Sequence, residues 1–498
     1  MTALSHLLCT LCLALGFSSA AGATATPCEL AFQSQDYSGA LASCLPAAEA
    51  GDAGAQYFVA YLYVNGLGVE KDYRKAWQGF EQAASGGSVS AHTALGVMLA
   101  DGLGVKQDYA KAAQEYLKAA LRGESAAQNN LGALYEQGLG VKQDYRLAAV
   151  WYEKAALGDA VKAPFNLANL YIMGYGVTQD YTKAARWLLK AAELGDLQGQ
   201  ATLGNLYLKG LGVQQDYKSA LRWYQKAAEA GNASGQVGLG YLYKNGLGVV
   251  KDEARAQQFY LKAAEQNDTT AQVYLGSLYQ DGLGVAHDDA KAAQWYQRAA
   301  DQGDPEGQTR LGYLYQNGLG VKRDMVRALE AYQKAAALGY SHAQIYLGQT
   351  YYYGLGVKQD FASAARWYQK AAEAGDAAGQ SSLGSLYFEG HGVNQDYRQA
   401  LKWFQKAADA GDANGQVNLG YLYEYGLGVQ RDTAQAAKWY RKAADGGDPM
   451  GQTNLAWMYE RGEGVEKDLE QATALYRKAA AQGYAWAKDA LVRLNIAP

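Results

Sequence analysis

Residues 127–158 read AQNNLGALYEQGLGVKQDYRLAAVWYEKAALG, and this stretch decides the fold. Leu131, Leu134 and Tyr135 follow the i, i+3, i+4 spacing of an apolar helix face. The sequence Gly-Leu-Gly-Val ends that face, and Asp144 then stands where a helix N-cap is expected. A helical pattern rich in alanine and aromatic residues follows the aspartate. The stretch therefore predicts a first helix, helix A, then a Gly-x-Gly-Val turn and a second helix, helix B.

This unit recurs every 36 residues, twelve times in succession. The first glycine of the turn stands at Gly66, Gly102, Gly138, Gly174, Gly210, Gly246, Gly282, Gly318, Gly354, Gly390, Gly426 and Gly462. The predicted N-caps of the B helices are Asp72, Asp108, Asp144, Asp180, Asp216, Asp252, Asp288, Asp324, Asp360, Asp396, Asp432 and Asp468. Each cap is expected to contribute about 1 kcal/mol by accepting N–H groups at the positive end of the helix dipole. Because neither helix can bury its apolar face alone, the repetition predicts an all-α solenoid.

The end of helix B follows a rule of its own. Ala-Ala occurs there in all twelve units, and such small side chains allow neighbouring helices to approach closely. A glycine such as Gly231 or Gly375 follows in most units, and Asn267 replaces it once, which predicts a left-handed backbone at this place. Near Gly158 the glycine comes one residue early, and Pro164 replaces the usual glutamine. We expect a locally reshaped turn there.

The full pattern is Ala-x-x-x-Leu-Gly-x-Leu-Tyr-x-x-Gly-x-Gly-Val-x-x-Asp-x-x-x-Ala-x-x-Trp-Tyr-x-Lys-Ala-Ala, and it resembles the Sel1-like repeat, a relative of the tetratricopeptide repeat. The resemblance extends from about Gly51 to Gly483. It implies a right-handed α/α superhelical solenoid whose A helices line the concave surface. It also implies a binding scaffold without conserved catalytic chemistry, in bacteria often exported and engaged in host or envelope interactions.

The segments outside the repeats are of two kinds. The apolar run from Leu7 to Phe17, followed by small residues, predicts a secretory signal peptide cleaved after Ala23 or Ala25. Half-repeats at both ends are expected to cap the open solenoid. The predicted organisation is a signal peptide at 1–25, N-terminal capping helices at 26–51, twelve repeats at 52–483 and a C-terminal capping helix at 484–498.

Cysteine usage agrees with export. Cys9 and Cys12 lie in the predicted signal, which leaves Cys28 and Cys44 in the mature chain, sixteen residues apart. In an oxidising compartment we expect them to form a disulfide, worth about 3 kcal/mol by the loop-entropy estimate. The alternative is a pair of buried, reduced cysteines. The predicted location is the periplasm or the exterior of a bacterial cell.

Composition and motifs exclude several classes of protein. The net charge is −4, so no basic surface for nucleic acid is predicted. No stretch after the signal approaches the roughly 20 apolar residues of a transmembrane anchor. The Gly-x-Gly turns lack a following Gly-Lys-Ser/Thr, the five histidines stand at unrelated positions, and no hydrolase motif occurs. We therefore predict a monomer with no enzyme activity, no cofactor and no metal site.

The candidate binding residues are variable side chains of helix A that recur at i, i+3 and i+7, opposite the Leu and Tyr that pack inward. Tyrosine, tryptophan and arginine are typical of interface hot spots. The predicted partner-binding residues are Tyr241, Tyr274, Arg310, Tyr313, Tyr346, Tyr353, Tyr421, Tyr425 and Trp457. Polar middle units contribute Asn130, Asn166, Asn169 and Asn205. The alternative is that several of these tyrosines pack against the next helix.

A second aromatic row lies on helix B and is predicted to be core, because it recurs at one register: Trp151, Trp187, Trp223, Trp295, Trp367, Trp403 and Trp439. The function we predict is a non-enzymatic scaffold that binds a partner protein or peptide through the concave aromatic groove. One alternative is an adaptor or regulator of a cell-envelope enzyme complex. Another is a protein that binds a glycan or peptidoglycan.

Overall fold

The computed structural model describes residues 27–496, so the predicted signal peptide at 1–25 lies outside the described residues. The described chain contains 27 helices and no strand. The A helices span Ala53–Asn65, Val89–Asp101, Ser125–Gln137, Ala163–Met173, Leu197–Lys209, Ala233–Asn245, Thr269–Asp281, Pro305–Asn317, Ser341–Tyr353, Ala377–Glu389, Ala413–Tyr425 and Pro449–Arg461. The B helices span Tyr73–Ser85, Tyr109–Ala120, Tyr145–Leu157, Tyr181–Glu193, Tyr217–Glu229, Glu253–Glu265, Asp289–Asp301, Met325–Ala337, Phe361–Glu373, Tyr397–Asp409, Thr433–Asp445 and Leu469–Ala481.

These helices pack consecutively in pairs, which confirms the predicted all-α solenoid. The chain forms two compact units, the first ending at Phe259 and the second beginning at Tyr260. The helices Pro27–Gln33 and Tyr37–Glu49 precede the first repeat, and Ala485–Arg493 follows the last. Among residues 27–496 no helix is long and apolar enough to cross a membrane.

The two N-terminal helices carry the cysteine pair. Cys28 and Cys44 form a disulfide with their Cα atoms 4.8 Å apart. Both side chains are buried against Ala55 of the first A helix. The disulfide therefore ties the short first helix to the helix that packs on the repeat array.

Helix starts follow the predicted chemistry. All twelve aspartates at the start of the B helices accept a backbone N–H of the first turn at 2.9–3.0 Å, which confirms these N-caps. The sequence analysis did not assign caps to the A helices. Most of those also begin at a capping side chain, as Asp52 and Asp304 do at 2.7 Å. Each repeat is thus delimited by two capped helices.

Glycines set the turn between helix A and helix B. The first glycine ends helix A in the left-handed region, as Gly138 does at φ 71°. The second glycine lies against the preceding repeat, where a Cβ on Gly428 would come within 2.5 Å of the Tyr397 carbonyl carbon. Asn267 has φ 65°, which confirms its predicted left-handed backbone. Only glycine satisfies both the conformation and the spacing at the second site.

The reshaped turn in the third and fourth repeats is also observed. Gly158 has φ −88°, outside the left-handed region, and the following helix Ala163–Met173 has 11 residues instead of 13. In nine other repeats the glutamine that Pro164 replaces donates its Nε2 to the carbonyl eight residues earlier, at 3.1–3.5 Å. In this repeat that carbonyl belongs to Ala156, and Lys190 Nζ donates to it. Lys190 thereby supplies the hydrogen bond that the glutamine donates to the corresponding carbonyl, at the end of helix B, in other repeats.

The Oε1 atom of this glutamine accepts a side-chain hydrogen bond in some repeats only. Gln302 Nε2 donates to Gln272 Oε1 at 2.9 Å, and Gln482 donates to Gln452 at 3.1 Å, each across 30 residues. The residue 30 positions after Gln344 is Ala374, and the buried Oε1 of Gln344 has no hydrogen-bond partner. A buried acceptor without a donor costs free energy. The chain therefore contains sites where a donor is missing.

We predict that Ala374→Gln raises the free energy of unfolding by about 1 kcal/mol, because the new Nε2 donates to the Gln344 Oε1. The exposed Ala374 has φ −72° and ψ −3°, close to φ −87° and ψ 2° at Gln302, so the backbone suits the new side chain. Urea unfolding followed by circular dichroism measures the change. Ala374→Glu has the same size but no N–H donor and should give no gain; equal gains from both variants would contradict the explanation.

Candidate binding surface

The predicted binding residues lie on the A helices of both units. Tyr241 is in the first unit and is 37 % exposed. The other eight are in the second unit. Of these, Tyr353 is 65 % exposed, Tyr421 39 %, Tyr425 56 % and Trp457 39 %. We call these four side chains of the second unit the A-helix aromatic surface.

The other four predicted residues are half-buried, and three of them cover a phenol of helix B. The Tyr346 ring stacks on Tyr332, with centroids 5.0 Å apart and planes 7° apart. Tyr274 lies on Tyr260 at 5.2 Å. Tyr313 lies 6.0 Å from Tyr346. The packing interpretation that the sequence left open therefore holds for Tyr274 and Tyr346, whose rings close the core.

Arg310 covers a third phenol. Its guanidinium carbon lies 5.9 Å from the centre of the Tyr296 ring, and its Nη2 lies 2.7 Å from Glu306 Oε1. Burial raises the pKa of Tyr296, and the positive charge of Arg310 acts in the opposite direction. Arg310 is thus held by a carboxylate of its own helix as well as by the phenol.

Tyr421 and Tyr425 form the most compact exposed pair, with centroids 4.5 Å apart. Phe388 of the preceding A helix meets Tyr421 edge-on at 5.8 Å and Tyr397 at 5.5 Å. Edge-to-face packing at such distances fixes ring orientation. The pair is therefore presented in a defined arrangement rather than as two independent side chains.

Trp457 is flanked by two arginines. The guanidinium of Arg461 lies 5.1 Å and that of Arg493 5.5 Å from its ring centre. Arg493 is held by two hydrogen bonds to Glu460, at 2.6 and 2.7 Å, and Tyr476 Oη donates to the same carboxylate at 3.0 Å. These bonds hold the pKa of Glu460 below its ordinary value. The last helix, Ala485–Arg493, is thereby fastened beside the tryptophan.

Some positions of the predicted groove are not open to solvent, which corrects the sequence analysis. Asn166 is buried, and its Nδ2 donates to Asn129 Oδ1 at 3.0 Å. Val97, Ala133 and Ser277 occupy the i+3 register and are buried as well. In the same register Asn205, Tyr241 and Tyr421 are exposed, so the exposure of this register differs from repeat to repeat. The amide side chains of the middle units therefore do not form one open polar stretch.

The tryptophans of helix B are core residues, as predicted. Trp151, Trp223, Trp403 and Trp439 are buried, while Trp187, Trp295 and Trp367 are half-buried. Trp151 packs toward the preceding repeat, in one cluster with Ala112 and Ala113 of that repeat's B helix. A cation three residues later covers the ring in most of these units, for example Lys442 at 3.9 Å from the Trp439 ring centre.

The sequence analysis missed a row of polar residues that follow the Leu-Tyr of helix A. In five repeats the buried phenol of helix B passes between the helices and donates to this row, sixteen residues earlier in the chain. The pairs are Tyr152 with Glu136 at 2.5 Å, Tyr296 with Gln280 at 2.9 Å, Tyr332 with Gln316 at 3.1 Å, Tyr440 with Glu424 at 2.7 Å and Tyr476 with Glu460 at 3.0 Å. The signal was present in the chain, because Val64 and Phe388 occupy this row where helix B carries Phe80 and Phe404 instead.

Twelve consecutive segments of the chain match the Sel1 repeat, at residues 53–88, 89–124, 125–159, 161–196, 197–232, 233–268, 269–304, 305–340, 341–376, 377–412, 413–448 and 449–484. The chain therefore belongs to the Sel1 repeat family. Solenoids of this kind are generally protein-interaction scaffolds and typically have no enzymatic activity. No curated protein is similar enough to this chain to count as a match.

Several solved structures are similar. One is c5321, a protective antigen present in uropathogenic Escherichia coli strains displaying an SLR fold, at 36% identity and a TM-score of 0.59. That match covers 90% of this chain and 97% of the other. A Sel1 repeat protein from Oxalobacter formigenes is 31% identical over 49% of this chain and 96% of its own, with a TM-score of 0.44.

We predict that Arg493→Met releases the helix Ala485–Arg493, because the new side chain cannot donate to Glu460. Hydrogen–deuterium exchange at pH 7 should become faster in that helix and stay unchanged in the first unit. Since the arginine lowers the pKa of Glu460, the bridge stabilises the fold above the ordinary carboxyl pKa and is lost as the pH falls through the lowered value. Arg493→Lys should retain part of the protection; equal protection in parent and Arg493→Met would remove the role given to this bridge.

Proposed function

We propose that the protein is an exported, non-enzymatic scaffold that binds a partner protein or peptide through its A-helix aromatic surface. The observation that carries the proposal is the exposure of Tyr353, Tyr421, Tyr425 and Trp457 on A helices of one unit. Transfer of large aromatic rings from water into an interface lowers the free energy of the complex. Tyrosine and tryptophan are also enriched among interface hot spots. Rings already ordered by their neighbours lose little entropy on binding.

The charges around these rings favour a polypeptide. Arg461 and Arg493 flank Trp457, and Glu463 lies 2.8 Å from Arg461 Nε. Donors and acceptors beside an apolar ring suit the alternating carbonyl, amide and side-chain groups of a peptide. A hot spot rimmed by such groups is typical of a protein interface.

Export is supported by two features of the N-terminal region. The apolar run from Leu7 to Phe17 is typical of a secretory signal. The Cys28–Cys44 disulfide suits an oxidising compartment. The similar c5321 is described as a protective antigen, which accords with a protein that leaves the cytoplasm.

We predict that the mature chain recovered from a bacterial host begins after Ala23 or Ala25 and is found outside the cytoplasm. Mass spectrometry of the intact protein, before and after alkylation without reductant, measures both the new N-terminus and the state of the cysteines. An oxidised Cys28–Cys44 pair takes up no alkylating reagent. A full-length chain with all four cysteines alkylated, found in the cytoplasmic fraction, would contradict export.

We predict that replacing Tyr421, Tyr425 and Trp457 together by alanine abolishes capture of the partner, because the variant loses the exposed rings. The mature protein and this variant are compared as baits in envelope extract and in host secretions. The matched control replaces Leu121, Leu157 and Tyr175, which are also exposed but lie in the first unit on B helices or a turn. Circular dichroism first establishes that both variants are folded.

The outcomes separate the candidate functions. A protein captured by the parent and by the control, and lost by the aromatic variant, supports the proposal and identifies the partner. If that protein is an envelope enzyme, the scaffold acts as its adaptor or regulator. Saturable binding to a purified polysaccharide in the absence of protein would instead make the ligand a glycan. Equal capture by parent and aromatic variant would place the site elsewhere.

A further inference from the structure

The tryptophan row of helix B is incomplete, and its gaps coincide with clefts. In repeat order the row reads Gly79, Glu115, Trp151, Trp187, Trp223, Phe259, Trp295, Ala331, Trp367, Trp403, Trp439 and Leu475. A Cβ on Gly79 would lie 2.9 Å from the Ala60 Cβ, so helix A and helix B of the first repeat approach each other closely there. Glu115 and Ala331 are the two other members too small or too polar to replace the indole.

Each of these two repeats has a cleft on the side of the preceding B helix. In the first unit a cleft of about 1030 Å³ lies between Gln78, Gln82, His92 and Glu115. In the second unit a cleft of about 470 Å³ is lined by Ala293, Gln297, Leu311, Tyr315 and Val321. The Trp403 ring packs on Ala365 and Leu383, which are the counterparts of Ala293 and Leu311 two repeats later. The second cleft therefore adjoins the place that an indole fills elsewhere.

The two clefts differ in chemistry. Glu115 extends into the first and is held there by His92 Nδ1 at 2.7 Å and by Lys118 Nζ at 2.6 Å. At the second, Ala331 stands where other repeats have an indole, and the cleft is lined by the apolar side chains of Ala293, Leu311 and Val321 and the ring of Tyr315, together with Gln294, Gln297 and Arg298. The volume of the second cleft falls within the roughly 300–1,000 Å³ of ligand pockets. Only at the second cleft does the row position carry an apolar side chain.

The cation that covers the indole elsewhere is still present in the repeat of Ala331. Lys154, Lys406 and Lys442 lie three residues after a row tryptophan and 3.9–4.4 Å from its ring centre. Lys334 holds the same place after Ala331, is exposed and has no ring of its own repeat to cover. The amides of Gln294 and Gln297 at the rim can accept an indole N–H.

We propose that this cleft, lined by Ala293, Leu311, Tyr315 and Val321, receives an aromatic side chain of a partner polypeptide, an indole above all. The partner's ring takes the place that tryptophan occupies in the neighbouring repeats, and Lys334 covers its face. The chain itself specifies the occupant, because seven other repeats fill the corresponding space with an indole. This site lies between the B helix Asp289–Asp301 and the following A helix Pro305–Asn317 with its turn, and it shares no residue with the A-helix aromatic surface.

The test is titration of the mature protein with 5-fluoroindole, followed by ¹⁹F NMR. We expect saturable binding to the parent and at least a tenfold weaker binding to Ala331→Trp, whose own indole fills the slot. Lys334→Met should weaken binding about two- to fivefold through loss of the cation–π contact. Ala337→Trp, at an exposed position of the same helix, is the matched control and should bind like the parent.

The remaining outcomes are equally informative. Thermal melting should show Ala331→Trp at least as stable as the parent, since its ring becomes buried. Replacement of Tyr421, Tyr425 and Trp457 by alanine should leave fluoroindole binding intact, so this site and the A-helix aromatic surface fail independently. The proposal is overturned if Ala331→Trp binds the probe like the parent. No saturation by the parent, or equal binding of a fluorinated aliphatic alcohol, overturns it as well.

Discussion

The contact on which most repeats depend is that between an aromatic ring of helix B and a glycine of helix A, which Ala60, Ala168 and Ala456 replace in the other three. A Cβ on Gly132 would lie 2.8 Å from the Tyr152 ring, and one on Gly312 would lie 2.7 Å from the Tyr332 ring. No real Cβ is accommodated at such distances without displacing the ring. The absence of a side chain on one helix therefore fixes how closely the other approaches. The Ala-Ala pair at the end of helix B allows the same close approach to the next repeat.

This close packing also explains the polar row on helix A. A ring pressed against the glycine carries its hydroxyl to the far side of helix A, where it must find a partner because burial of an unpaired hydroxyl is costly. Glu136 and Glu424 accept from Tyr152 and Tyr440 for this reason. Where helix B has Phe404, the partner position is Phe388, and no polar group is required. The pairing is not uniform, because Leu208 occupies the row position for Tyr224, whose hydroxyl donates instead to Asn205 at 2.7 Å.

The second packing element, the tryptophan row, joins one repeat to the next. Its ring fills the space beside the preceding B helix, and the cation above it shields the exposed edge. A repeat that lacks the ring keeps its helices in register, because the N-caps, the turns and the hydrogen bonds from the helix A glutamine to the end of the preceding helix do not depend on the ring. Loss of the ring therefore opens a local cleft without disturbing the array. An α/α solenoid can acquire binding sites in this way, one repeat at a time.

The sequence by itself determined the repeat length, the twelve aspartate caps, the left-handed Asn267 and the burial of the tryptophan row. Each of these depends on neighbours a few residues away or on one contact repeated at a fixed spacing. Exposure on the A-helix face was decided only by the tertiary structure. Tyr313 and Tyr421 occupy the same register of the repeat, yet Tyr313 is half-buried beside Tyr346 and Tyr421 faces solvent. What separates them is the size of the side chains that adjacent helices bring to the same place, and that depends on packing between repeats rather than on local spacing.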